Sequence, residues 1–311
     1  MEGVKHIPVL LQECLDGLNI KPDGVYLDGT LGLGGHSYEI ASRLNAGHLI
    51  CLDKDEFALR HASERLAPFA DKITFVHSDF RKAAEVVKEL GYTGVDGMLF
   101  DLGVSSPQLD DAARGFSYMQ EAPLDMRMDR SAPLSAYDVV NIYPEEELAR
   151  IFFEYGEEKF SRRIASAILR KREEKPLTTT AELVSVIRSA MPASALREKQ
   201  HPAKRCFQAI RIEVNDELGA VRDMMNSAPD ALVPGGRLCV ISFHSLEDRI
   251  VKTAIQKRAN GCTCPREAPV CICGFVKTLR SVSRKPITAS LEELGSNPRA
   301  RSAKLRIAER V

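Results

Sequence analysis

Acidic residues and a glycine-rich turn near the N-terminus are spaced to hold a small charged cofactor. The stretch Tyr26-Leu-Asp-Gly-Thr-Leu-Gly-Leu-Gly-Gly-His-Ser37 puts Asp28 directly ahead of a loop containing Gly32, Gly34, Gly35 and His36. A dinucleotide fingerprint requires G-x-G-x-x-G. The nearest match, Gly32-Leu33-Gly34-Gly35-His36-Ser37, fails at the third glycine. Beside a pyrophosphate, Asp28 would be repelled by about 4 kcal/mol for unit charges ~4 Å apart at an effective dielectric of roughly 20. Beside the ammonium and sulfonium of S-adenosylmethionine the sign reverses. Asp53 suits ribose hydroxyls with either cofactor, and Asp79-Phe80 offers a polar contact and an aromatic wall for adenine. Any one of these acids could be a helix cap. Three acids at strand ends around one glycine loop favour S-adenosylmethionine.

A second chemical stretch, Asp101-Leu-Gly-Val-Ser-Ser-Pro-Gln-Leu-Asp110, follows the fourth predicted strand. Enzymes that methylate exocyclic amines often carry Asp/Asn-Pro-Pro-aromatic here, because the amine lone pair is delocalised into the base and must be oriented by fixed oxygens. This chain departs from that motif. Asp101, the hydroxyls of Ser105 and Ser106, and the Gln108 amide are the groups available for equivalent work; a plain Ser-Pro loop is the competing reading.

The elements that must position these residues are legible as short apolar runs. Val25–Asp28, His48–Asp53, Ile73–Asp79 and Val95–Asp101 each end in an acid, and helical stretches such as 37–43, 56–66 and 82–90 lie between them. That alternation predicts an α/β fold with a parallel sheet and crossover helices. Gly236–Ser242, introduced by Pro234–Gly235, reads as another central strand, and Lys304–Arg310 as a closing one. Between about 110 and 203 helix-period runs take over, including 145–153, 160–169 and 180–189, the last two starting at Ser or Thr positions suited to capping. The expected organisation is therefore an α/β domain of residues 1–109 and 204–311, with a helical domain inserted at 110–203.

Composition sets broad limits. The 311 residues are 44% hydrophobic and carry no net charge, as in an ordinary globular protein. No signal peptide or long apolar span is read, so a cytoplasmic location is expected. Charge is uneven: residues 145–158 are rich in glutamate, whereas the tail carries Arg299, Arg301, Lys304, Arg306 and Arg310. A locally basic tail can dock on a polyanion, and Arg299 and Arg301 are the expected phosphate contacts; a merely solvated surface is the plainer reading.

Several other residues invite a role. Phe116 and Tyr118 are candidates to stack on an extruded base, or to fill the core. Pro123–Asp129 alternates charged and apolar residues and, if extended, makes a strut with a charge ladder. In 201–218, Gln208, Arg211 and Asn215 share one helical face that could meet substrate. His244 ends a strand and could accept a proton or bind phosphate, beside a capping pattern at Ser245 and Asp248. Of eight cysteines, Cys14, Cys51, Cys206 and Cys239 read as buried thiols. Cys262, Cys264, Cys271 and Cys273 make a compact set fit for a structural Zn²⁺.

The motifs together resemble the RsmH (MraW) family of bacterial 16S rRNA (cytosine-N4)-methyltransferases. The match is carried by His6-Ile-Pro-Val-Leu-Leu, Asp28-Gly-Thr-Leu-Gly-Leu-Gly-Gly-His-Ser, Asp101-Leu-Gly-Val-Ser-Ser-Pro-Gln, Arg114-Gly-Phe-Ser-Tyr and Pro123-Leu-Asp-Met-Arg-Met-Asp. It continues through Tyr155-Gly-Glu-Glu, His201-Pro-Ala-Lys-Arg, Phe207-Gln-Ala-Ile-Arg-Ile, Ile241-Ser-Phe-His-Ser-Leu-Glu-Asp-Arg and Asn297-Pro-Arg-Ala-Arg-Ser. The resemblance implies a Rossmann-like class I methyltransferase domain at 1–109 and 204–311 with a substrate-binding helical insert at 110–203, S-adenosylmethionine as donor and a decoding-region cytidine of small-subunit 16S rRNA as acceptor. By motif it places cofactor contacts at Gly34, Gly35, His36, Asp53, Phe80, Asp101 and Gln108. Two rival readings are a nicotinamide-dependent oxidoreductase and a non-catalytic RNA-binding protein on a methyltransferase fold. A homodimer is left open.

Overall fold

The structure, a computed structural model, describes residues 8–198, 200–265 and 272–311, and all their side chains except that of Ser106. The chain forms two compact units, Met1–Gly103 with Leu218–Val311, and Val104–Glu217.

The first unit holds a seven-stranded sheet: β1 (Val25–Asp28), β2 (His48–Asp53), β3 (Ile73–His77), β4 (Val95–Asp101), β5 (Leu232–Ser242), β6 (Leu279–Ser281) and β7 (Lys304–Arg310). Their spatial order is β3-β2-β1-β4-β5-β7-β6. The first five pair in parallel, and β7 runs antiparallel to both β5 and β6. This is a Rossmann-like sheet, the α/β class expected from the sequence. Its chain order reverses at β1 and β4, where α/β sheets open a crevice at the carboxyl ends of their strands.

The strands read as unbroken apolar runs because both faces of the sheet are covered. Tyr26, Leu49, Cys51, Leu99, Cys239 and Ile241 enter one buried cluster, while their neighbours Leu27, Ile50, Leu52, Met98, Phe100, Leu238 and Val240 enter another. Cys14, Cys51 and Cys239 sit fully buried within this unit, and Cys206 within the other. Two strand readings change. β3 stops at His77, because Asp79 already caps the turn Phe80–Lys82 by accepting from the Arg81 amide. β5 starts at Leu232, with Pro234–Gly235 inside it, where a shift of register between Val95 and Gly97 takes up the irregularity.

The second unit is helical. Helices Glu145–Glu154, Ser161–Glu174, Thr180–Ala190 and Lys204–Asn215 surround a core containing Leu148, Phe152, Ile164, Ile168, Leu183, Ile187 and Phe207. Thr179 accepts from the Glu182 amide as the N-cap of one helix. Ser161 is instead the first helical residue of another and makes no cap. The helix read across 201–218 ends at Asn215, because Asp216 is left-handed (φ 46°), and Glu217–Ser227 begins a new one. Lys204–Asn215 thus falls within the helical unit.

Pro123–Asp129 does not form the extended ladder expected. Leu124, Met126 and Met128 do point into the helical core, but Met126 is left-handed (φ 58°) and turns the chain. That conformation costs a non-glycine residue ~1–2 kcal/mol, so its surroundings must hold it. The Met126 amide donates to Arg114 O (3.0 Å), and Asn215 Nδ2 donates to Met126 O (2.8 Å). The Met128 amide donates to Asn215 Oδ1 (2.8 Å), and Arg114 Nη2 donates to Arg127 O and Met128 O. Asp125 and Arg127 pair at 2.8 Å on the outer side. Asn215→Ala removes two ties to this turn and should cost about 1–3 kcal/mol in urea unfolding. An unchanged midpoint would remove Asn215 from this role.

Candidate functional site

The glycine loop leaves β1 at the carboxyl edge of the sheet and is bound to the neighbouring strands. Gly29 N–H donates to Leu99 O of β4, and Leu31 N–H to Leu52 O of β2. Gly34 N–H closes back on Leu31 O at 2.8 Å, and Gly34 itself is left-handed (φ 71°), a conformation glycine adopts without strain. Gly35 cannot carry a side chain either, since a Cβ there would lie 2.5 Å from Pro8 Cγ.

Three carboxylates occupy this edge, and their bonding separates their roles. Asp28 is buried, with Oδ1 accepting from the Thr30 amide (3.1 Å) and Oδ2 from Ser37 Oγ (2.7 Å). It shapes the loop from within. Asp53 is half-buried; Oδ2 accepts from Gly32 N–H (2.8 Å) and Oδ1 from Asp55 N–H (2.9 Å). Each of those oxygens retains a lone pair suited to a hydroxyl donor. Asp101 differs. Its amide donates to Thr30 Oγ1 (2.6 Å), but its Oδ1 is buried without a hydrogen-bond partner among the described residues. Its Oδ2 lies 4.0 Å from His36 Nδ1. Thr30, Ser37 and the buried Glu247 were missed as site residues. Thr30 and Ser37 lie in the glycine-loop motif itself, where their hydroxyls were the available signal.

None of the three carboxylates pairs with a lysine or arginine among the described residues, and burial therefore dominates their protonation. Desolvation pushes Asp28 and Asp53 up to about 6, against the hydrogen bonds they accept. Asp101 rises to about 8, through desolvation first and then the charges of Asp28 and Glu247. His36, also desolvated, falls to about 4 and is neutral at pH 7. Its Nε2 faces Val9 O at 3.0 Å. A carbonyl can only accept, so Nε2 carries the proton and Nδ1 is a bare acceptor. These groups fit a cationic cofactor with ribose hydroxyls. Asp101 offers a buried carboxyl group that a cation would ionise, Asp53 the hydroxyl acceptors, and the glycines a loop that a cofactor can approach closely.

The other expected residues of the first unit are placed as follows. Phe80 is half-buried, its ring edge-on to Phe100 at 6.1 Å. Asp79, besides its cap, has Lys54 Nζ at 3.9 Å and Arg81 Nε at 3.6 Å, so it is occupied by cations. The capping box expected at Ser245 and Asp248 lies one residue earlier: His244 is the N-cap, and Glu247 Oε2 accepts from the amides of Phe243 and His244. Asp248 instead binds Arg306 (2.6 Å) and Lys304 (3.5 Å). Much of the basic tail is neutralised in this way, with Arg310 on Asp230 and Arg280 on Glu309. Arg299 and Arg301 are exposed in the turn Pro298–Ser302. Cys262, Cys264 and Cys273 cluster, whereas Cys271 lies outside the described residues.

Within the second unit, Ser105 and Gln108 form a helix cap: Gln108 is buried and its Oε1 accepts from the Ser105 amide at 3.0 Å. Ser106 is the first residue of the helix Ser106–Asp110. Phe116 is buried in the core, not presented as a stacking platform. Tyr118 stacks on His201 (4.6 Å, 14° between planes) and meets Phe207 edge-on. The polar row turned out to be internal cross-links. Gln208 Nε2 donates to Tyr155 O, Arg211 makes a two-pronged pair with Glu217 (2.7 and 2.9 Å), and Asn215 holds the Met126 turn.

The raised value of Asp101 has a stability consequence with a definite sign. Between the ordinary aspartate range and about pH 8, the unfolded chain ionises this group while the folded chain keeps it protonated, so folding becomes less favourable as pH rises. Asp101→Asn escapes that cost. It should unfold at a higher temperature than the wild type at pH 8 and at nearly the same temperature at pH 4. Equal melting temperatures at pH 8 would contradict the burial argument.

The MraW methylase family's sequence profile matches residues 3–311. The chain is 56% identical over 307 residues to "Ribosomal RNA small subunit methyltransferase H" of Brevibacillus brevis, covering 98% of each chain. It is likewise 56% identical to the protein of the same name from Heliobacterium mobile, and 52% identical to that from Clostridioides difficile, over 98% of this chain and 99% of each relative. With its glycine loop and carboxylate edge borne on the sheet of a class I methyltransferase, and with full-length similarity of this depth, the chain belongs to the MraW methylase family.

Proposed function

We propose that this protein transfers the methyl group of S-adenosylmethionine to N4 of a decoding-region cytidine in 16S rRNA of the small ribosomal subunit. The observation that carries the reading is the unsatisfied Oδ1 of Asp101, a buried carboxyl group at the carboxyl edge of β4 with no lysine or arginine beside it among the described residues. The printed names of the full-length relatives support the choice of small-subunit rRNA. The sheet unit is the proposed methyltransferase domain and Val104–Glu217 the proposed substrate-binding domain.

When bound, S-adenosylmethionine supplies a methyl group made electrophilic by its sulfonium. Gly34, Gly35 and His36 form the loop that covers it, Asp53 accepts from ribose hydroxyls, and Phe80 walls the adenine. Asp28 keeps that loop in shape through Thr30 and Ser37. Asp101 ionises as the cation arrives and, with the Ser105–Ser106 segment and Gln108 four to seven residues along the chain, orients the exocyclic amine. Most of the acceleration would come from this positioning, and the amine proton passes to water after transfer. Arg299 and Arg301 hold rRNA phosphates. Tyr118, Phe116, Arg211 and Asn215 act by building the substrate unit, and His244 by starting the helix Ser245–Asn260.

The direct test is radiolabelled methyl transfer to small subunits from a strain lacking this enzyme. The expected outcome is one labelled cytidine, modified at N4; label on another base, or none with folded protein, would overturn the assignment. Titration calorimetry separates the oxidoreductase reading, with heat expected for S-adenosylhomocysteine and none for NAD. Asp101→Ala should lower kcat/KM by ~100-fold or more, a loss of about 3 kcal/mol of transition-state stabilisation. Substituting Arg299 and Arg301 together by alanine should weaken rRNA binding and reduce the slope of log K against log[salt] by about 1.5. An unchanged slope would exclude them as phosphate contacts.

A further inference from the structure

The thiol cluster takes no part in the reading above and has its own geometry. The helix Ser245–Asn260 ends at Gly261, where a Cβ would lie 2.2 Å from Lys257 O, so only glycine permits this sharp exit. The chain then brings Cys262, Cys264 and Cys273 together, with all three sulfurs within 4.8 Å of one another. Cys262 Sγ and Cys273 Sγ are 3.6 Å apart. That is far beyond the ~2.05 Å of a disulfide. It is close to the edge of a tetrahedron of sulfurs around Zn²⁺, which is about 3.8 Å for Zn–S bonds of ~2.3 Å. The amide of Ile272 donates to Cys264 Sγ at 3.2 Å, the kind of outer hydrogen bond that fixes a metal-bound ligand.

The surroundings do not explain the cluster by packing. Cys262 and Cys273 are exposed, and nearby Ile272 and Val276 are 86% and 74% exposed. Buried cysteines elsewhere in this chain behave as small apolar residues; these do not. Between Asn260 and Leu279 the described residues form no helix or strand, and a metal bridging these sulfurs would hold together positions up to eleven apart. Thiolates select borderline and soft cations, and a tetrahedral thiolate set is characteristic of zinc.

We propose that Cys262, Cys264 and Cys273 bind a structural Zn²⁺ ion that staples the segment between the helix Ser245–Asn260 and β6. The metal has no catalytic part, and its presence is independent of which base is methylated. Full-length protein, expressed with zinc supplementation and purified without chelators, should contain about one zinc per chain by elemental analysis. Refolding or exchange with Co²⁺ should give thiolate charge-transfer absorption with the intense ligand-field bands of a tetrahedral site. Cys262→Ser, Cys264→Ser and Cys273→Ser should each lose most of the metal, whereas Cys14→Ser should retain it. Should a serine variant fail to fold, titration of the wild type with a mercurial must release zinc in step with modification of the exposed thiols. Reduced wild-type protein that holds neither zinc nor cobalt, or serine variants as metal-rich as the wild type, would overturn the proposal without touching the methyl-transfer assay.

Discussion

Burying negative charge at the carboxyl ends of parallel strands, with no basic side chain to meet it, is the constraint around which the sheet unit is arranged. Asp28 and Asp53 are stabilised by hydrogen bonds from loop amides and a hydroxyl, so the charge is spent on holding the glycine loop. Asp101 is given less: one oxygen is buried and unsatisfied, the other lies near a neutral imidazole. The empty protein relieves this by keeping Asp101 protonated near neutral pH. A group so placed favours a bound cation more than any solvent-exposed carboxylate could, because water cannot compete for it.

The helical unit follows a different economy of polar groups. Side chains that a helical wheel presents as an open polar face are consumed in bridging irregular backbone. Asn215 satisfies the left-handed turn at Met126, Gln208 reaches Tyr155 O, and Arg211 is locked by Glu217. This unit has no sheet to supply hydrogen bonds between distant segments, so amide and guanidinium side chains do that work.

Sequence legibility divides along the same line. β1, β2 and β4 are readable to the residue because burial on both faces selects continuous apolar runs closed by an acid, and β7 because its residues alternate. Asp28, Asp53 and Asp101 stand out in the sequence as candidate site residues for that reason. Their different jobs do not, since hydrogen bonds from Thr30, Ser37 and Gly32 depend on a loop geometry that spacing alone does not encode. β6 escaped notice at three residues, too short for any period to register. His244 as a cap escaped for another reason: the Ser245 and Asp248 pattern mimics a capping box one position late, and only backbone angles decide. The turn at Met126 was hidden because an alternating sequence satisfies both a strand and a turn that buries every second residue.

The pairing of β4 with β5 sets residues such as Asp101 and Ile241 side by side although the whole helical unit is encoded between them. On the ribosome, strands β1 to β4 emerge long before their remaining partner, and β4 presents an open edge until then. Val104–Glu217 is fully synthesised during that interval, so the later-encoded unit can complete its core first. The sheet unit must wait, half-assembled, for the nascent chain to deliver β5. The β4–β5 edge can therefore close only after the whole helical unit has been synthesised, over the long loop that separates the two strands in the chain.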